Sequence, residues 1–160
     1  MLAGCGYRPL YATSAQRQLT VQVGQVLVPE TLAVQAAASG ARDELAAGGR
    51  LRHGTEFPRL VIDVLRVDES SRGVRILAGQ PRASGMSVAV TVRGRVFLGD
   101  AQEPSLDTGD IRRAVQLAGD ADARVDSAAY DQALRAAAER AGAAVGRAVS
   151  GIPEPADETP

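Results

Sequence analysis

The chain has no lysine and no tryptophan, one cysteine and one histidine, and aromatic side chains make up only 3% of its 160 residues. A single cysteine excludes an intrachain disulfide, so cysteine pairing says nothing about the redox compartment. The lone His53 sits in a Gly- and Arg-rich connector with no cysteine or second histidine beside it. It reads as a solvated loop residue, which removes a His-based metal site and a Cys–His nucleophile pair from the options. No apolar run approaches the roughly 18–20 residues that a membrane-spanning helix needs, so membrane attachment, if any, is expected to be covalent or peripheral. No glycine-rich phosphate loop follows a strand and opens a helix. The spacing of Asp63, Asp68, Asp100, Asp107 and Asp110 selects no acid–base pair. The expectation is a protein that is not an enzyme and needs no cofactor or metal.

What is present is a 45% hydrophobic fraction, supplied by Val, Leu, Ile and many Ala. That suffices for one domain with an aliphatic core. All 18 basic residues are arginine, and the formal net charge is −1. A near-neutral chain argues against a nucleic-acid partner, which calls for a basic stripe and a high pI. Charge is nevertheless uneven: eleven arginines fall between Arg50 and Arg113, and the last ten residues carry Glu154, Asp157 and Glu158 without a base.

Residues 6–18 read as an extended leader, because Pro9 forbids helix and pushes Arg8 toward β or polyproline geometry. Leu19 to Val28 alternates as a strand, with Gly24 shifting the phase as a β-bulge does. Pro29-Glu30-Thr31 starts a helix whose apolar positions are Val34, Ala38, Ala41 and Leu45, and Gly48-Gly49 ends it. A strand is predicted over about 59–68, apolar on both sides at its centre and therefore central in a sheet. After the turn residues 69–73, a short strand is predicted over 74–77. The cleanest strand places Met86, Val88, Val90, Val92, Gly94, Val96 and Leu98 on one face. The other, wetter face carries Ser87, Ala89, Thr91, Arg93, Arg95 and Phe97. Residues 99–109 read as a loop, and Ile111, Arg113, Val115 and Leu117 as a fourth strand. Asp126 or Ser127 caps a final helix with Tyr130, Leu134, Ala137, Ala141, Val145 and Ala148 inside. The order β-α-β-β-β-α implies an α+β fold, with two helices packed on one face of a four-stranded, mostly antiparallel sheet. Residues 19–151 form that domain, 1–18 the leader, and 152–160 a disordered acidic tail.

Two features point to function. Arg93 and Arg95 stand side by side on the polar strand face, with Arg75 near the preceding turn and Arg112 at the start of the next strand. Clustered guanidiniums suit phosphate or carboxylate, and the bland alternative is a solvated face paired with local acids. The second feature is Leu2-Ala3-Gly4-Cys5, which resembles the bacterial lipobox; the basic and apolar stretches of a signal peptide are expected upstream of Met1. An acylated Cys5 would tether the domain, each buried methylene contributing about 0.8 kcal/mol.

With Leu-Ala-Gly-Cys-Gly-Tyr-Arg-Pro-Leu-Tyr over residues 2–11, and the order of elements after it, the chain resembles the LPS-assembly lipoprotein (LptE) family. That resemblance implies an outer-membrane lipoprotein, acylated (palmitate) and lying on the periplasmic side. It further implies a plug inside the lipopolysaccharide-translocon β-barrel that contacts lipopolysaccharide. The absence of Lys and the scarcity of aromatics depart from the best-known members. The other reading is an auxiliary lipoprotein of an ABC-type lipid or solvent exporter.

Overall fold

The structure, a computed structural model, describes residues 17–71, 74–77, 80–83, 85–118 and 127–151. Cys5, the leader up to residue 16 and the acidic tail lie outside the described residues.

Strands β1 (Thr20–Val26), β2 (Arg59–Ser71), β5 (Gly85–Phe97) and β6 (Leu106–Ala118) form one sheet in the order β1-β2-β5-β6, and β3 (Val74–Leu77) and β4 (Gln80–Ala83) form a separate hairpin. Helix α1 (Thr31–Ala47) connects β1 to β2, and helix α2 (Ser127–Ser150) follows β6. The expected α+β class and the β-α-β-β-β-α order hold, with the β3–β4 hairpin inserted between the two central strands. Only the β1–β2 pair is parallel, and α1 supplies the long crossover that a parallel pair needs.

Local signals explain most boundaries. The β1–β2 register shifts between Val23 and Val26, which is the bulge expected at Gly24. Gly49 adopts φ +66° at the end of α1, where the amide of Arg50 reaches back to the carbonyl of Leu45 and that of Gly49 to Ala46. This is a Schellman cap, with the left-handed position filled by glycine.

The expected loop 99–109 is shorter than predicted, because Leu106–Asp110 pairs with β5. Gly109 at φ +67° and a register shift between Arg93 and Arg95 absorb the irregular segment. Long-range pairing here overrides the turn-like composition Asp107-Thr108-Gly109-Asp110. The wetter face of β5 is also drier than predicted: Ser87, Ala89 and Thr91 are buried. Thr91 lies between Arg66 and Arg112, and Ala89 has Asp68 on one side, so longer side chains flank the small ones.

As the composition requires, the largest fully buried side chains are aliphatic apart from Thr20: Leu45, Leu60, Ile62, Val64, Val88, Val90, Val92, Leu134 and Val145. The helices meet through small residues. Ala33, Ala37, Gly40 and Ala41 of α1 and Ala137, Ala138, Ala141 and Gly142 of α2 are all buried. A Cβ on Gly40 would overlap the carbonyl of Glu139, and one on Gly142 the carbonyl of Ala37. The two backbones therefore touch, and Gly40, a weak residue for a helix interior, is a contact point. The inner stripe of α2 ends on Val149, since Ala148 is exposed. The close approach predicts that Gly142→Ala, neutral or favourable in an isolated helix, destabilises the fold by about 1–3 kcal/mol through overpacking. Chemical denaturation should show a lower midpoint with an unchanged slope.

Candidate functional site

The face of the sheet opposite the helices carries the arginines that sequence reasoning singled out. Arg93 and Arg95 on β5 and Arg112 on β6 share it with Arg66 of β2, because residues paired across strands point the same way. Arg75 lies on β3 opposite Arg82, and its side chain is outside the described residues.

Each of these four arginines meets an aspartate. Arg95 donates from Nε to Asp63 Oδ2 at 2.8 Å and from Nη2 to Oδ1 at 3.0 Å, a two-pronged pair. Asp63 is buried and also accepts the amide of Gln25 at 2.7 Å. Gly24 makes this possible, because a Cβ there would overlap the Asp63 carboxylate. The bulge in β1 and the buried ion pair are thus one device. Arg93 lies 2.7 Å from Asp110 and 3.9 Å from Asp107. Asp68 bridges Arg66 at 3.0 Å and Arg112 at 3.7 Å. With Arg59, which pairing with Phe97 sets on the same face, five guanidiniums share it with four carboxylates, so charge alternates with a small basic excess. Arg93 and Arg112 are the more exposed members on β5 and β6, and Arg95 the less exposed.

An anion reaching this face would have to displace a carboxylate. Displacement is cheaper at Arg93 or Arg112, whose pairs stand in water, than at Arg95, whose partner is buried. The acidic half of the ladder was missed in the sequence. One signal for it existed: Asp63 interrupts the apolar run Leu60–Leu65, and a charge inside a central strand needs a partner. His53 is exposed. Among the described residues no group of His, Cys, Asp or Glu could hold a metal ion, and no helix is long and apolar enough to cross a membrane.

A second polar contact joins the layers. Tyr130 on α2 hydrogen-bonds Glu69 at the end of β2, and its pKa is pushed up from 10.0 to about 12, first by burial and then by that bond.

No family model and no curated protein matches the sequence. Solved structures are similar to it. One is a minor lipoprotein from Acinetobacter baumannii, at 13% identity over 85% of this chain and 92% of that one, with a TM-score of 0.56. A candidate lipoprotein from Caulobacter crescentus matches at 18% identity over 80% and 84%, with a TM-score of 0.46. The rare lipoprotein B from Shewanella oneidensis matches at 12% identity over 82% and 92%, with a TM-score of 0.39. At such identities the likeness is one of fold, and the Acinetobacter protein alone among the three is close enough to carry it.

Two outcomes follow. Asp63→Asn should lower stability by about 2–3 kcal/mol, because the buried pair loses its charge and an amide NH2 donor replaces one of the two oxygens that accept from Arg95. Asp110→Asn, at the wet end of the ladder, should change it by less than about 1 kcal/mol. Equal losses in thermal melts would show that burial does not grade the ladder. For Tyr130, a folded-state pKa above the unfolded one means that its contribution is intact below pH 10 and is lost as pH climbs from about 10 to 12. Tyrosinate absorbance of Tyr130→Phe should lack the last of the titrating groups.

Proposed function

We infer that the protein is a non-catalytic lipoprotein of the outer membrane, tethered through acylated Cys5. In this reading it serves as the plug and assembly partner of the β-barrel that delivers lipopolysaccharide to the cell surface. The observation that carries this is Leu2-Ala3-Gly4-Cys5 and its continuation to Tyr11, the motif by which the chain resembles LPS-assembly lipoproteins. The fold supports it, being shared with a lipoprotein over most of both chains.

The helix-free face also suits a polar wall. Its alternating Arg and Asp can exchange partners with the polar side chains that line a barrel interior. Contact with lipopolysaccharide phosphate would run through Arg93 and Arg112, the exposed rungs, with Arg95 held back by Asp63 and Arg75 contributing from the hairpin.

The test is made in the native host. Detergent extraction should recover the protein with a large β-barrel protein, Cys5 should carry acyl groups by mass spectrometry, and depletion should reduce surface lipopolysaccharide. Arg93→Gln combined with Arg112→Gln should weaken lipopolysaccharide binding several-fold at physiological salt. A bare thiol at Cys5 would remove the tether. Recovery with an inner-membrane ATPase complex in place of a barrel would move the protein to a lipid exporter.

A further inference from the structure

The described chain begins at Arg17, and the residues around that point are unlike the rest of the surface. β1 and β2 start at this end, β5 finishes here and β6 begins here. Both phenylalanines of the chain lie at it. The Arg59 guanidinium stacks 4.3 Å from the centroid of Phe57 and 5.7 Å from that of Phe97, each within cation–π range. On the helix side of the same end, Leu98 is 49% and Leu106 39% exposed. Leu106 pairs with Val96, which sets Leu98 diagonally beside it. Arg17, Arg52, Pro58 and Leu98 line one open depression of about 510 Å³. Apolar and aromatic side chains bordered by guanidiniums match the depth profile of a lipid headgroup layer, apolar inward and cationic at the phosphates.

We propose that this end of the domain, built on Leu98, Leu106, Phe57 and Phe97 with Arg17 and Arg52 at the rim, docks on a phospholipid bilayer surface. This rests on the tether of the reading above and not on the plug, and it describes the protein outside a barrel, adding an orientation: the sheet stands with the start of β1 against the lipid. The position of the chain's emergence argues for this occupant. Cys5 and Arg17 are twelve positions apart, with eleven residues between them, and at about 3.3–3.6 Å per position that stretch spans at most roughly 40 Å. Acyl chains on Cys5 would therefore keep this end near the membrane at high effective concentration, so a modest intrinsic affinity suffices. Other exposed large hydrophobics, Val23, Val26 and Leu27, lie toward the far end of β1 and serve as the internal control. Glu56, paired with Arg52 at 2.7 Å, and Asp100 and Glu103 in the β5–β6 connection balance the arginines. Attachment is accordingly through insertion and single phosphates more than through bulk charge, and it should tolerate salt better than a polybasic patch does.

The full chain carrying Cys5→Ala isolates the patch, since it cannot be acylated. With vesicles of phosphatidylethanolamine and phosphatidylglycerol at 3:1, it should co-sediment weakly, and Leu98→Glu with Leu106→Glu should reduce the bound fraction at least fivefold. Val23→Glu with Leu27→Glu should leave the bound fraction unchanged. A chain free of tryptophan permits a second reading that does not depend on a tolerated charge. In the same Cys5→Ala background, Leu98→Trp should shift its emission to shorter wavelength on adding vesicles and be quenched by brominated lipid, and Leu27→Trp should do neither. No sedimentation and no shift at position 98, or a shift at position 27 alone, overturns the docking surface. If the acylated wild type still fractionates with membranes in that case, the tether stands and the orientation alone is lost. A bare thiol at Cys5 with vesicle binding retained is the converse result.

Discussion

Backbone contact between the two helices is the constraint on which the architecture depends. At Gly40 against Glu139 and Gly142 against Ala37 there is no room for a single added carbon. A core with almost no aromatic volume cannot fill a wide gap between layers, and the chain narrows the gap instead. Dispersion falls off steeply with distance, so helices faced with Ala and Gly recover attraction only by touching. Where α2 crosses β5 the same device recurs, for a Cβ on Gly94 would overlap Val145. The position of α1 follows from α2, and since α1 joins β1 to β2, the parallel pairing of the edge strand depends on the same contact. An ion pair between Glu44 and Arg147 at 3.0 Å closes the helix pair near its far end.

The opposite face obeys a different rule. Neither described helix covers it, yet Ser87, Ala89 and Thr91 at its centre are buried, Thr91 between Arg66 and Arg112. Its charges are paired in a ladder that runs from the buried Asp63 to the exposed Asp110 and Arg112. A surface arranged in this way stays soluble when free and can exchange partners with another polar surface when docked.

Much of the fold was legible because its periods are clean. The two-residue alternation of β5, the bulge glycine of β1, the Gly48-Gly49 stop and the 3.6-residue stripe of α2 each have a local cause. What was hidden is long-range. The strand character of Leu106–Asp110 comes from pairing with β5, and the parallel β1–β2 pair depends on where α1 packs. The arginines of the candidate face could be placed on one side of one strand, but their partners come from β2 and β6, and no spacing rule brings Asp63 to Arg95 across 32 positions.

The sequence by itself determined the element order, the aliphatic character of the core and the lipobox-like start, because these are properties of neighbours and of composition. Only the tertiary structure decided that Gly40 and Gly142 are contact points and that four arginines of the polar face meet aspartates. It alone gathered both phenylalanines, two exposed leucines and the start of the described chain at one end of the sheet. Each of these depends on residues far apart in the chain becoming adjacent, and proximity of that kind is created by packing.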